Sequence, residues 1–200
     1  MMKKYNMVLP LLLLALFLLP RAARAGEATE VLRADIDRTL SVMRDPALQG
    51  PEKEEERNEK IMAIVEQMFD FEEVSRRSLG RYWRARSKAE RDAFVRLFTR
   101  LLAGSYLNRA YEHRNAKVLY TGEVSRGRKV EVRTKVLTAK GTEVPINYRL
   151  MKKNGRWRAY DMVIEGVSLM STYRTQFNQK IQRSSYEALV EDLEQKVGKK

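Results

Sequence analysis

The chain has 200 residues, no cysteine and a formal net charge of +13. Lack of cysteine excludes disulfides, thiolate metal sites and a thiol nucleophile. The length suits one domain that buries roughly 70% of its unfolded surface, and the basic excess could face nucleic acid, anionic lipid headgroups or an acidic protein surface.

Lys3 and Lys4 precede an apolar run from Met7 to Leu19 that contains eight leucines. Ala23-Arg24-Ala25 follows, a small-x-small cleavage pattern. The run is shorter than the ~20 residues that span a bilayer as a helix. No cysteine follows it to carry a lipid anchor. Residues 1–25 are expected to be a secretory signal, cleaved near Ala25, and residues 26–200 a single domain. Loss of Lys3, Lys4, Arg21 and Arg24, with no acid, takes the charge from +13 to +9. For an exported chain no nucleic-acid partner is expected.

Residues 27–113 read as helical. Val31, Ile36, Leu40 and Met43 form a loose apolar stripe from about Ala28 to Met43, ended by Asp45-Pro46. Residues 49–60 are highly charged and read as the solvated start of a second helix, whose apolar part is Ile61, Ile64, Val65 and Met68. Asp70 can cap a short helix that runs through Leu79 and stops at Gly80. Ser87-Lys88-Ala89-Glu90 is a capping box. Behind it Phe94, Leu97, Phe98, Leu101, Leu102 and Tyr106 recur at helical spacing, which predicts a long helix ending between Tyr111 and Arg114.

Residues 117–164 read as four strands: Lys117 to Val124, Lys129 to Thr138, Glu143 to Lys152 and Trp157 to Ile164. The turns are Ser125-Arg126-Gly127, Ala139-Lys140-Gly141 and the strong hairpin pair Asn154-Gly155. Short links predict an antiparallel meander, with Pro145 arguing for an edge position or a bulge. Residues 167–197 return to helix. The expected fold is α+β: a four-stranded antiparallel sheet, covered by N-terminal and C-terminal helices.

Little here suggests catalysis, and the chain is not expected to be an enzyme or to need a cofactor. The one histidine, His113, falls at a helix end between charged neighbours. The acids from Glu52 to Glu59 lack the spacing of a calcium loop. No Walker, dinucleotide or G-x-S-x-G pattern occurs. Sidedness says more. The long helix presents Phe94, Phe98, Leu101, Leu102 and Tyr106. The sheet presents Val132, Val136, Ile146, Tyr148, Leu150 and Val163, and the last region presents Val167, Leu169, Tyr173 and Phe177. Periodicity alone does not separate a filled core from one that encloses a ligand cavity.

The segment Trp157-Arg158-Ala159-Tyr160-Asp161-Met162-Val163-Ile164-Glu165-Gly166-Val167-Ser168 carries W-x-A-x-D-x-x-x-E-G-V-S, and Tyr173, Arg174 and Phe177 follow as Y-R-x-x-F. Leu79-Gly80-Arg81-Tyr82-Trp83 leads into Arg91, Phe94, Phe98, Leu101 and Tyr106. Both blocks resemble the MlaC, or toluene-tolerance (Ttg-type), family. The resemblance covers essentially the whole chain after the signal. It implies a periplasmic phospholipid carrier moving between an outer-membrane lipoprotein complex and an inner-membrane MCE-protein/ABC-transporter complex. The acyl chains would lie between sheet and helices, with the headgroup near the surface. A hopanoid-associated branch of the family is a second reading. A small enzyme with a pocket, or an interaction module with a filled core, is a third.

A carrier suits the physics of the cargo. Two acyl chains hold about 30 methylenes, each unfavourable in water by ~0.8 kcal/mol, so exposure costs on the order of 20–25 kcal/mol. The fifteen apolar residues named above, from Phe94 to Phe177, are the candidate lining. Arg109 and Arg174 are candidate headgroup contacts, because a guanidinium pairs well with phosphate. Gly166 is expected to permit a tight turn, Ser168 to cap the next helix, and Asp161, if inward, to require an arginine or a backbone amide.

Overall fold

The computed structural model describes residues 26–139 and 141–198. The expected signal, Lys140 in the second predicted turn, and the last two lysines lie outside the described residues. Helix α1 (Glu27–Arg44) carries Glu27 and Glu30 in its first turn and Arg44 in its last, which matches the helix dipole. Its first turn is tied to the sheet: Glu123 accepts from the Thr29 amide at 3.1 Å and from the Thr29 hydroxyl at 2.5 Å. Pro51–Lys53 form a 3₁₀ turn into α2 (Glu54–Met68). The charged stretch is solvated as expected except at Arg57. That side chain is buried, donates to the Leu48 carbonyl at 2.7 Å and lies over the Tyr111 ring, so it fastens the link between α1 and α2.

Two of the N-terminal helix starts follow their sequence signals. Asp70 accepts from the Glu73 amide and caps α3 (Phe71–Leu79). Gly80 ends α3 at φ +57°, and a 3₁₀ stretch, Gly80–Ala85, follows. The Ser87/Glu90 capping box is complete in both directions and starts α4 (Lys88–Glu112). The C-terminal region divides into α5 (Leu169–Arg183) and α6 (Tyr186–Gly198). The break falls at Ser184-Ser185, where Ser185 Oγ accepts from the Ala188 amide and restarts the helix.

The sheet has five strands rather than the four expected: β1 (Lys117–Arg126), β2 (Lys129–Leu137), β3 (Glu143–Lys153), β4 (Arg156–Ile164) and β5 (Val167–Ser168), all antiparallel and in chain order. Two residues suffice for β5 because Glu165 and Gly166, at φ +49° and +84°, reverse the chain at once. Val167 therefore pairs with Ile164 in a strand instead of starting a helix. β3 is internal, not an edge. Pairing with β4 begins at Ile146, and the Pro145 carbonyl accepts from the Glu165 amide just past the end of β4, so its missing N–H falls beyond that ladder, where it is tolerated.

One irregularity in the sheet shapes the site. Between Arg149↔Asp161 and Leu150↔Ala159 the β3–β4 register slips by one residue, leaving Tyr160 as the extra residue of a bulge. Before the bulge Ala159 faces α1. After it Met162 does, and Asp161 and Val163 turn to the opposite face.

The interior is two apolar clusters. One is entirely helical and aromatic-rich, with Val74, Leu79 and Trp83 beside Phe94, Phe98, Phe177 and Tyr186. The other joins α1 and Met68 of α2 to the sheet, through Leu32, Ile36, Val130, Val132, Tyr148, Leu150 and Ala159. Phe69, in the two-residue link between α2 and α3, packs against both. The same link pairs with β4 at the bulge, where the Asp70 amide donates to the Ala159 carbonyl at 2.9 Å.

Candidate functional site: a basic pocket at the seam of two apolar clusters

Asp161 organises the place where the two clusters meet. Its carboxylate accepts from Arg149 at 3.0 Å, the Ser168 hydroxyl at 2.7 Å and the Met170 amide at 3.1 Å. A buried carboxylate needs this many donors, and these three join β3, β5 and α5 to β4. Ser168 then accepts from the Ser171 amide as the N-cap of α5. The W-x-A-x-D…E-G-V-S segment is thus architectural: it builds the bulge, the tight turn and the helix start.

On the α3 side, Arg77 lies 4.0 Å over the Tyr160 ring and pairs with Glu73 at 2.6 Å. Burial works against ionisation of Glu73. The bonds to Arg76 and the charge of Arg77 outweigh it and hold the carboxyl below its ordinary 4.5. The extra residue of the bulge is therefore gripped by a guanidinium that is itself gripped by a carboxylate.

These groups enclose a pocket of about 540 Å³. Its lining comes from α3 (Arg77), the β1–β2 hairpin (Arg126, Lys129, Val130, Glu131), the bulge region (Arg149, Tyr160, Asp161) and α5 (Met170, Ser171, Arg174). Val130 belongs to the sheet cluster and Met170 to the helical cluster, so the pocket touches both.

The sequence-predicted residues separate along the same line. Phe94, Phe98, Leu101, Leu102 and Phe177 are buried in the helical cluster, and Tyr106, Leu169 and Tyr173 pack against it. The rings of Phe94, Phe98, Tyr173 and Phe177 meet at 4.9–5.8 Å. Val132, Tyr148 and Leu150 lie in the sheet cluster, with Ile146 packed on it. Tyr148 is buried deeply enough that its hydroxyl is pushed up to about 12. Val136 is half-buried on the same strand face. Val163 is buried on the other face, turned there by the bulge. Val167 is 62% exposed in β5, apart from either cluster.

Arg174 lines the pocket, and Arg109 stands exposed in the last turn of α4, outside the pocket lining. The place of Arg174 depends on a glycine: a Cβ on Gly80 would lie 3.1 Å from Arg174 Nε. The two motif blocks of the sequence, around Gly80 and around Arg174, are therefore in contact. Sequence reasoning misses Arg77, Arg126, Lys129 and Tyr160. The bulge that gathers them leaves no signature in the residue pattern.

The family profile described as MlaC protein matches residues 33–195. The chain belongs to the MlaC family. A curated relative, the intermembrane phospholipid transport system binding protein MlaC of Haemophilus influenzae, is 27% identical over 106 residues. That match spans 50% of this chain and 50% of the relative. A solved structure, the phospholipid-binding protein of Ralstonia solanacearum in complex with a phospholipid, superposes with a TM-score of 0.76 at 26% identity. It covers 87% of this chain and 98% of that one. This MlaC-family chain thus shares its α+β fold with a protein seen holding a phospholipid.

Proposed function

We propose that this protein is a phospholipid carrier that works in the periplasm after removal of residues 1–25, taking a glycerophospholipid between outer- and inner-membrane complexes. The observation that carries the reading is the seam: two separate apolar clusters meet beneath one basic pocket. The Ralstonia solanacearum structure, with its bound phospholipid on the same fold, supports it. In this reading the acyl chains enter between the clusters from the pocket and spread along the helical residues Phe98, Leu101, Tyr106 and Tyr173 and the sheet residues Val132 and Tyr148. The headgroup stays in the pocket beside Arg174.

The helical group is held to the sheet by few contacts: the Asp161 hub, Phe69-Asp70 on Ala159, Lys153 on Asp70 and Glu72, and Arg77 on Tyr160. Separation along this line exposes apolar surface on both sides, which two acyl chains would cover. Enclosure offsets the ~20–25 kcal/mol that the chains cost in water, so the ligand leaves slowly unless a docked partner opens the seam. The partners in this reading are a lipoprotein complex at the outer membrane and an MCE-protein/ABC-transporter complex at the inner one. The net positive charge guides docking, and its contribution to transfer rate falls with added salt.

Native mass spectrometry of protein purified without detergent tests the reading. A co-purified phospholipid mass is expected. A hopanoid mass would redirect it to the other branch, and a bare chain after growth and purification in lipid-rich cells would overturn it.

A further inference from the structure

The charges in the pocket do not balance. Five cations (Arg77, Arg126, Lys129, Arg149, Arg174) face two carboxylates, Glu131 and Asp161. Both carboxylates are engaged. Asp161, only 5% exposed at its side chain, has the three donors described above. Glu131 pairs with Arg133 at 3.5 Å and with Arg149 at 3.4 Å. Arg149 is thereby neutralised between two acids, and Arg77 is held by Glu73. Arg126, Lys129 and Arg174 form no ion pair among the described residues, and they approach from three elements: the end of β1, the start of β2 and α5.

We propose that this pocket selects lipids by headgroup charge, taking an anionic phospholipid such as phosphatidylglycerol in preference to a zwitterionic one. The inference rests on the carrier reading. A phosphodiester of either lipid can be met by Arg174. The distinction is in what lies beyond the phosphate. The ammonium of phosphatidylethanolamine would sit among unpaired cations, with no carboxylate free to receive it. Phosphatidylglycerol carries hydroxyls there instead, and its single negative charge remains uncompensated within the molecule. Arg126, Lys129 and Arg174 are exposed, so solvent screens this repulsion and the expected discrimination is modest. The first-turn amides of α5 add little to this choice, since Met170 and Ser171 already donate to Asp161 and Ser168.

The test uses the mature protein, stripped of lipid and incubated with vesicles that hold phosphatidylglycerol and phosphatidylethanolamine with identical acyl chains in equal amounts. Both lipids share one surface, so attraction of the basic protein to the vesicle does not favour either. The bound lipids are extracted and quantified by mass spectrometry. Phosphatidylglycerol is expected in excess by about threefold, the scale of one partly exposed charge interaction. Arg126→Gln combined with Lys129→Gln brings the ratio toward that of the vesicle. Arg96→Gln with Arg100→Gln, which removes the same charge from α4, leaves the ratio unchanged. A wild-type ratio equal to that of the vesicle overturns the charge selection and leaves the carrier reading intact. Failure to take up either lipid overturns the carrier reading itself. Inorganic phosphate added as competitor leaves the ratio unchanged if the headgroup is the source of the anion. A collapse of the ratio on addition would assign the pocket to free phosphate and overturn the proposal.

Discussion

The helical cluster and the sheet cluster are built by different means. The sheet side is a backbone ladder first: β1 to β4 pair along nearly their whole length, and α1 and α2 lie on the face they present. Removing one side chain there leaves the ladder in place. The helical side has no ladder. Its helices meet mainly through rings and aliphatic side chains, with Phe94, Phe98, Tyr173 and Phe177 clustered and Tyr186 on Phe94, plus a few polar ties such as Lys180–Asp192 between α5 and α6. Such a group moves against its neighbour at the expense of packing and of the few polar ties across the seam. In the carrier reading proposed above, the contrast favours the seam, and not the middle of either cluster, as the place for a bulky ligand.

The largest effect is expected at Phe98, which is fully buried among three other rings. Phe98→Ala should lower stability by about 3–5 kcal/mol. Hydrogen exchange resolved along the chain should show lost protection in α4 to α6, with β2 and β3 nearly unchanged. Uniform loss over both regions would erase the distinction between the clusters.

Asp161→Asn strikes the joint between them. Loss of charge from a buried hub with an arginine, a hydroxyl and an amide as donors should cost ~2–3 kcal/mol in denaturant unfolding. It should also loosen the start of α5 more than any part of α4. Gly80→Ala sharpens the view of the pocket. At φ +57°, ψ −123° an alanine is strained by about 1–3 kcal/mol, and its methyl displaces Arg174. Gly80→Ser should behave alike, whereas a matched α4 surface substitution, Arg96→Ala, should leave lipid uptake as it was.

A smaller effect concerns pH. The folded protein holds Glu73 below its ordinary 4.5. The carboxyl therefore contributes stability that is fully present above pH 4.5 and fades as pH falls through the folded value. Glu73→Gln should weaken the protein at neutral pH and flatten its loss of stability below pH 4.5. Curves of equal slope in acid would show that the grip on Arg77 carries no energetic weight.

The residue pattern discloses one of these regions better than the other. Helical spacing from Phe94 to Tyr106, the Ser87/Glu90 box and the Asn154-Gly155 turn are local signals, and each holds in the structure. The need of Asp161 for an arginine and an amide is also readable, because a buried charge has few ways to be satisfied. What the pattern does not disclose is the side of the sheet on which Val163 ends. Strict alternation places it with Leu150 and Tyr148, and the single extra residue at Tyr160 sends it to the opposite face. The same slip, together with the turn at Glu165-Gly166, sets Val167 in an exposed strand and gathers the unforeseen arginines into a pocket. Arg109 and Arg174 look alike as candidates in the sequence, and only tertiary structure separates a helix end from a pocket wall.

The claim at the centre of this account is that acyl chains lie between the two clusters. The chain has two tryptophans, and one belongs to each side: Trp83 is buried in the helical cluster and Trp157 packs against the sheet cluster. In Trp83→Phe and Trp157→Phe proteins, loaded with a phospholipid brominated on its acyl chains, the remaining tryptophan reports on one side at a time. Bromine should quench both tryptophans. Quenching of Trp83 alone, or of neither, would contradict the claim.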